Sequence, residues 1–600
     1  MEKELLFRKD VDEKLTWDLS LIYSSDEEMQ KDFEEAKLLI EELVQYKGRL
    51  NSSSAINECV MKYMHYMEKL VLISHYTELA VSVDYYNEEA QQKNQRITSW
   101  MADAASRLSF IESEILEQEE SVLARAVEEA KETKGYLKDL LAYKPYQLHP
   151  EAERVLAALS PTLGAGYEVY EITKLADMKF PNFTVDGKEY PLGYSLFEDD
   201  YEYDTRTDVR RAAFKAFSDK IRQYENVTAM AYNTTVRKEK IMADLRGFSN
   251  VYDSLLFPQK VERELYDRQI DLIMEHLAPH MRKYAKLLQK IHKLDKMTYA
   301  DLHLPVDPEY VPTVSIEESK EYIMKGLSIL GEDYGKMIQE AYDKRWIDFA
   351  QNQGKSTGGF CASPYGRDSF ILLSWNGRMS DVFTLAHELG HAGHFRMCNQ
   401  AQSIFDTEVS TYFVEAPSTM NELLMSHYLL KTNDDPRFRR FVLANMVSNT
   451  YYHNFVTHLL EAAYQREVYK LIDEGGSVQA DTLSRIMKQT LQKFWGDAVE
   501  LTEGAELTWM RQPHYYMGLY SYTYSAGLTI ATQVCKRIEA EGASAVEDWK
   551  KVLAAGSTKT PKELALMAGV DISGPGPLLD TIDTIGKMID EIVELTEKLS

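Results

Sequence analysis

The chain has 600 residues, of which 44% are hydrophobic and 27% are charged, an ordinary globular composition. That length exceeds what a single hydrophobic core usually fills, so two or more lobes are expected. With 68 Lys and Arg against 95 Asp and Glu residues the net charge is −27, which argues against nucleic acid and membrane surfaces as partners.

Neither a signal peptide nor a membrane span is predicted. The first residues are studded with charges, and nowhere do about 18 uncharged apolar residues follow one another. The cysteines lie far apart, without C-x-x-C spacing: Cys59, Cys361, Cys398 and Cys535. We therefore expect reduced thiols in the cytoplasm, and neither a disulfide framework nor a cysteine zinc site.

Helical periodicity dominates the chain. The stretch 24–48 opens with a capping signature and stops at a glycine, and similar stretches fill residues 55–140. The last 25 residues repeat the pattern, with apolar residues three or four apart on one face: Leu578, Ile582, Ile585, Ile589, Ile592, Leu595 and Leu599. The sequence predicts a mainly α fold, divided into helical residues 1–112, a second helical segment with a hairpin at 113–200, and a large domain at 201–600.

Strand signals are few. The run FTVDGKEYPL at 183–192 predicts a hairpin, because Asp186-Gly187 suits a type I′ turn. Between Trp346 and Gly377, STGGFCAS and SFILLSWNG are two short β-like runs that lead directly into a histidine-rich helix. A small sheet is therefore predicted beside that helix.

The histidine-rich helix reads DVFTLAHELGHAGH over residues 381–394. His387 and His391 are one turn apart on one face, where both imidazoles can reach one metal ion. Glu388 lies on the adjacent flank, suited to accept a proton from a metal-activated water. The helix is otherwise nearly apolar, and a buried carboxylate between two histidines is costly unless a cation compensates it.

Two histidines leave the metal site incomplete. His394 lies about 10 Å along the helix axis from His387, too far to share one ion. A catalytic zinc usually takes a third protein ligand, and the carboxylates that follow the helix are Asp406, Glu408, Glu415 and Glu422. Spacing alone does not choose among them, although Glu415 lies in the apolar stretch YFVEAPST, where a solvated carboxylate would be out of place.

HELGHAGH followed by FVEAPSTMNE, with the later run PHYYMGLYSYTYSAG, resembles the thimet oligopeptidase family of zinc metallopeptidases over nearly the whole chain. The resemblance implies a multi-lobed helical zincin with a deep substrate channel, whose catalytic domain is 201–600. It also implies one zinc ion per chain, bound by His387, His391 and Glu415.

The resemblance implies roles in the tyrosine-rich run as well. Its histidine and last matching tyrosine, His514 and Tyr522, would donate hydrogen bonds to the developing oxyanion, as the catalytic partners of Glu388. Tyr516 and Tyr520 remain alternatives for the tyrosine. Tyr516 is also expected to contact the substrate.

Two further segments gain an expected role. Glu422 would orient a ligand histidine, although T-M-N-E from Thr419 also fits a capping box. The Gly359, Phe360 and Cys361 backbone would border the cleft and pair with a substrate peptide by strand addition.

The expected function is a zinc-dependent endopeptidase that hydrolyses internal bonds of oligopeptides, with Glu388 as general base. Two other classes compete. An exopeptidase would need a group that captures a free terminus, and no G-x-M-E-N motif is present. A helical scaffold would use the histidine helix as a structural metal site, which is usually closed by four protein ligands, often cysteines.

Overall fold

The computed structural model describes residues 6–356 and 358–599, and the expected mainly α fold is confirmed. The α-helices of the N-terminal part are α1 (Asp26–Val44), α2 (Ser53–Ser82), α3 (Glu88–Leu108), α4 (Phe110–Leu116), α5 (Glu120–Glu129), α6 (Lys134–Tyr143), α7 (Pro150–Ile172), α8 (Thr207–Arg222), α9 (Glu225–Leu245), α10 (Val251–Leu256), α11 (Arg263–Leu272) and α12 (Ala278–Ile291). Those that follow are α13 (Ile316–Gly326), α14 (Glu332–Asp343), α15 (Met379–Ala401), α16 (Thr411–Val414), α17 (Ala416–Thr432), α18 (Pro436–Asn445), α19 (His458–Asp473), α20 (Ala480–Trp495), α21 (Tyr522–Glu541), α22 (Ala543–Leu553), α23 (Pro561–Met567) and α24 (Gly576–Leu599). None of the helices in the described ranges has the length and apolarity needed to cross a membrane.

The described residues form two hydrophobic cores. One core is built from residues 17–140 together with Phe370 and Leu372, and the other extends from Met178 to Leu595. The first core crosses the boundary predicted near residue 112, because α4, α5 and α6 pack into the same interior as α1 and α2. The amphipathic helix α24 closes the second core as expected, except that Leu599 is exposed.

The predicted hairpin is present. Strand β1 (Phe183–Val185) pairs antiparallel with β2 (Lys188–Tyr190). Both turn residues have positive φ, 48° at Asp186 and 78° at Gly187, as a type I′ turn requires.

The predicted small sheet beside the histidine helix is also present. It contains β3 (Ile347–Asp348), β4 (Phe360–Ala362) and β5 (Phe370–Leu372), in the order β3-β5-β4. Strand β5 runs parallel to β3 and antiparallel to β4, so β4 is an edge strand. Within a few residues of β5 the chain enters α15.

Helix α15 packs against α17 at very short range, and the contact depends on glycine. A Cβ atom built on Gly390 would lie 2.5 Å from the Pro417 carbonyl oxygen and 2.6 Å from Ser418 Cα. One turn along, a Cβ atom on Gly393 would lie 2.4 Å from the hydroxyl of Tyr334 on α14. Any side chain at either position would push the helices apart.

Replacing Gly390 with alanine should therefore lower stability, by about 1–3 kcal/mol, the usual cost of overpacking a core. The matched control is Gly164→Ala in α7, where nothing lies within 4 Å of the new Cβ atom. There the better helix propensity of alanine should stabilise the protein, by up to about 1 kcal/mol. Thermal unfolding of both variants measures the difference, and equal effects at the two glycines would contradict the close contact.

Candidate metal centre

Two histidines of α15 and one glutamate converge on a single point. Nε2 of His387 and Nε2 of His391 each lie 3.4 Å from Oε2 of Glu415. Glu415 is the residue between α16 and α17, and Pro417 in the first turn of α17 suits a helix start. The close contact at Gly390 places this junction directly against α15, next to His387 and His391.

These three residues fit a divalent metal ion. Bonds of about 2.1 Å at a tetrahedral angle hold two donor atoms about 3.4 Å apart, which is the spacing found here. Two imidazole nitrogens and one carboxylate are a donor set of catalytic zinc sites, which leave a further position open. Of the other candidate carboxylates, Glu408 is exposed and Asp406 accepts a hydrogen bond from Ser403.

Neighbouring groups hold two of the three ligands, His387 and Glu415, in place. Oε1 of Glu422 lies 2.6 Å from Nδ1 of His387, and its other oxygen accepts from the Thr450 hydroxyl. Ser418 donates to Oε2 of Glu415 over 2.7 Å. Although burial would lower it, the hydrogen bond to Glu422 raises the pKa of His387 to about 10. Glu422 thus has the position that was predicted for an orienting carboxylate.

Glu388 is buried next to the ligands without being one of them. Burial raises the pKa of its carboxyl group, and the positive charges of His387 and His391 oppose that rise. A Cβ atom on Gly359 would lie 3.4 Å from Oε1 of Glu388, so backbone just before β4 passes directly over this carboxylate.

His394 lies outside the metal centre, as its distance along the helix predicts. It is buried, and its ring stacks on Phe395 with the centroids 5.1 Å apart. Burial lowers the pKa of His394 to about 3, so this histidine is neutral.

The structure does not support Tyr522 as the tyrosine facing the metal. Its side chain is fully buried on the far side of α21, between Tyr266 and Tyr412, and its hydroxyl donates to Oε1 of Gln259 over 2.6 Å. That hydroxyl is engaged and has no access to a substrate. Two residues along a helix correspond to a rotation of about 200°, so Tyr524 faces the opposite way.

Tyr520 and Tyr524 lie close enough to the metal ligand Glu415 for its charge to affect them. The negative charge of Glu415 contributes to a raised pKa at both, after the effect of burial. The Tyr524 hydroxyl lies 3.4 Å from Nε2 of His514, and the His514 ring stacks on Tyr520 with the centroids 5.7 Å apart. His514 thus has Tyr524 as its partner, and its role beside the metal centre stays a prediction.

The residues predicted to bind substrate divide into two groups. Gly359 and Cys361 face α15, and the charge of Glu388 adds to the effect of burial in raising the pKa of the Cys361 thiol. The Phe360 ring instead packs near Trp17 in the N-terminal core, with the centroids 6.2 Å apart. Tyr516 stacks on Tyr170 of α7, with the centroids 4.7 Å apart.

Sequence reasoning missed a second cluster next to His514. It consists of His453, which lies just before α19, and of His458 and Glu461 in the first turn of that helix. The His458 ring stacks on Tyr524 with the centroids 4.0 Å apart. An H-x-x-E pattern at 458–461 was visible in the sequence, but nothing there connects it with His514.

Comparisons with known proteins found relatives along nearly the whole chain. The model for peptidase family M3 matches residues 201–584, and a model described as Oligopeptidase F matches residues 114–180. The chain is 30% identical to Oligopeptidase PepF of Bacillus subtilis, over 99% of this chain and 89% of that protein. It is 25% identical to the Oligoendopeptidase F homolog of Borreliella burgdorferi, over 98% of this chain and 100% of that protein.

Solved structures show the same fold. A protein of Chlamydophila abortus matches with a TM-score of 0.84 at 20% identity, over 99% of this chain and 100% of that one. Oligoendopeptidase-F from Enterococcus faecium matches with a TM-score of 0.74 at 22% identity, over 95% of this chain and 100% of that one.

A helical fold with an H-E-x-x-H helix and a glutamate immediately before the next long helix defines a metallopeptidase. The chain belongs to peptidase family M3, so its substrates are peptides. The resemblance to the thimet oligopeptidase family, and within it to oligoendopeptidase F, is confirmed.

Changing Glu422 to glutamine should weaken the binding of a divalent metal, measured with added zinc, by about 10–100-fold, because the carboxylate that orients His387 is lost. Chelator competition measures the zinc affinity. Glu408→Gln makes the same chemical change at an exposed position and should leave the affinity unchanged. Equal zinc affinities in the two variants would show that Glu422 does not support the ligand.

Proposed function

We propose that the protein is a zinc-dependent endopeptidase that cleaves internal bonds of oligopeptides. The observation that carries the proposal is the convergence of His387, His391 and Glu415 with Glu388 buried beside them. Four free cysteines support a reducing compartment such as the cytoplasm.

His387, His391 and Glu415 would hold the zinc ion. When bound, the ion supplies a Lewis acid that activates a water molecule and polarises the scissile carbonyl group. Glu422 and Ser418 keep the two kinds of ligand in position through the hydrogen bonds already described.

Glu388 is proposed as the general base. Its burial favours the neutral form and the adjacent histidines favour the carboxylate, so the group is suited both to take up a proton and to release it. It accepts the proton of the attacking water and then delivers that proton to the leaving amine.

His514 and Tyr524 are proposed to stabilise the oxyanion. The Tyr524 hydroxyl and Nε2 of His514 lie 3.4 Å apart, and the two side chains can present O–H and N–H donors to the same oxygen atom. Fixed donors directed at a developing negative charge are usually a large part of catalysis, since they need no reorganisation during the reaction.

The position of β4 at the edge of its sheet supports the proposal that the substrate is an extended peptide rather than a compact protein. Its free edge can accept an extended chain by strand addition, which leaves the scissile bond close to Glu388 because Gly359 lies beside that carboxylate. This pairing would use the backbone groups at the edge of β4. Gly359 and Cys361 face α15, while the Phe360 side chain packs against the N-terminal core.

The function is tested with a peptide blocked at both ends, incubated with and without a chelator. We expect internal cleavage by the wild type, its loss with chelator and its return with added zinc. Glu388→Gln should retain the metal and lose nearly all turnover. Cleavage of unblocked peptides only would indicate an exopeptidase, and no cleavage at all would remove the enzymatic proposal.

The two tyrosines of α21 give a sharp comparison. Tyr524→Phe should lower kcat by about 100–1000-fold, the usual loss for one oxyanion donor, with zinc content unchanged. Tyr522→Phe removes only the buried hydrogen bond to Gln259 and should act on thermal stability, with kcat within a few-fold of wild type. The opposite pattern of kcat values would restore Tyr522 as the donor.

A further inference from the structure

Glu461 is a buried carboxylate on which several donors of the cleft wall converge. Its Oε2 lies 2.8 Å from Nδ1 of His458 and accepts a hydrogen bond from the Ser521 hydroxyl over 3.0 Å. Nδ1 of His514 lies 3.5 Å from the same oxygen and, among the described residues, has no hydrogen bond of its own. Nε2 of His458 in turn meets Nε2 of His453 at 3.0 Å.

The contact between His458 and Glu461 has the spacing of a hydrogen bond rather than that of two ligands of one metal ion. Donor atoms around the predicted zinc ion are 3.4 Å apart, whereas His458 and Glu461 are 2.8 Å apart. An ion about 2.1 Å from both atoms would need an angle well below the tetrahedral value. A proton between nitrogen and oxygen explains the distance directly.

A buried carboxylate needs positive or donating partners to remain charged. Burial would raise the pKa of Glu461, but His458 and His514 hold it far below its usual range. The Glu461 carboxylate is therefore an anion, and its negative charge attracts the rings of His458 and His514.

The local backbone brings these groups together in an unusual way. Two π-helical segments, Met446–Tyr451 and His453–Thr457, precede α19. Their wider turn places His453 and His458, five residues apart, in ring contact with the centroids 4.3 Å apart. Such π-helical turns within helices are frequent at functional sites.

The cluster borders a cavity of about 400 Å³ that also has His514 and Tyr524 in its wall. The His458 ring lies flat against the Tyr524 ring, with 16° between the planes. Glu461 thus supports one proposed oxyanion donor through Nδ1 of His514 and the other through the stacked His458.

We propose that Glu461 is a positioning residue that orients His514 and, through His458, Tyr524 for oxyanion stabilisation. This inference rests on the proposed endopeptidase function. Hydrogen bonds at catalytic groups are often long before substrate binds and shorten in the complex, so the 3.5 Å separation at His514 should contract in that state.

Glu461→Ala is expected to lower kcat by about 10–100-fold, as losses of orienting partners typically do, with KM nearly unchanged. The inhibition constant of a phosphinic peptide, in which a tetrahedral phosphinate replaces the scissile amide, should rise by about the same factor. Glu461→Gln keeps the volume and one acceptor oxygen, and should recover part of the loss.

The matched control is Glu239 of α9, a carboxylate that accepts a hydrogen bond from Tyr469 of the same helix α19. Glu239→Ala and Glu239→Gln should leave kcat and phosphinate inhibition near the wild-type values. Zinc content and thermal unfolding are measured for all variants, and zinc should remain at one ion per chain.

Three results would overturn the inference. One is that Glu461→Ala has the same kcat and the same phosphinate inhibition constant as the control Glu239→Ala. Another is that Glu461→Gln is as impaired as Glu461→Ala. The third is a second metal ion per chain that Glu461→Ala loses, since that would make the cluster a metal site. A wild type that leaves blocked peptides intact would instead overturn the proposed function together with the inference, so the two failures are distinguishable.

Discussion

The close contact between α15 and α17 is the constraint on which the site depends. His387 and His391 belong to α15, whereas Glu415 immediately precedes α17 and Glu422 lies in its second turn. The two glutamates reach the histidines because Gly390 has no side chain to separate the helices. A third helix joins at the same place: a Cβ atom on Gly527 of α21 would lie 3.0 Å from the Ala416 nitrogen. The same helix presents Tyr524 one turn earlier. Small residues at these contacts thus control the geometry of the reactive groups.

Much of the fold and the metal centre could be predicted because the signals are local. The i, i+4 spacing of His387 and His391 depends only on helix geometry, and the hairpin at Asp186 depends only on turn geometry. Glu415 was different: residue spacing left several carboxylates open, and the choice came from the family resemblance. Its position is set by tertiary packing, which no short stretch of sequence encodes.

The errors have equally physical causes. Tyr522 and Tyr524 are both tyrosines in a tyrosine-rich run, and the direction each faces depends on where α21 begins and which side of it is buried. His453 and His458 are five residues apart, a spacing that an α-helix would place on different faces; only the π-helical turn brings the rings together. The boundary predicted near residue 112 failed to divide the cores because helices of similar composition on both sides share one interior.

Strand β5 has a consequence for how a bound peptide would be located. Its successive side chains alternate between the two cores, with Phe370 and Leu372 in the N-terminal one and Ile371 in the other. Because β4 pairs directly with β5, the position of β4 depends on how both cores pack. Tilting one half relative to the other would shear this small sheet. The register of a peptide paired with β4 would therefore depend on how the two halves pack together.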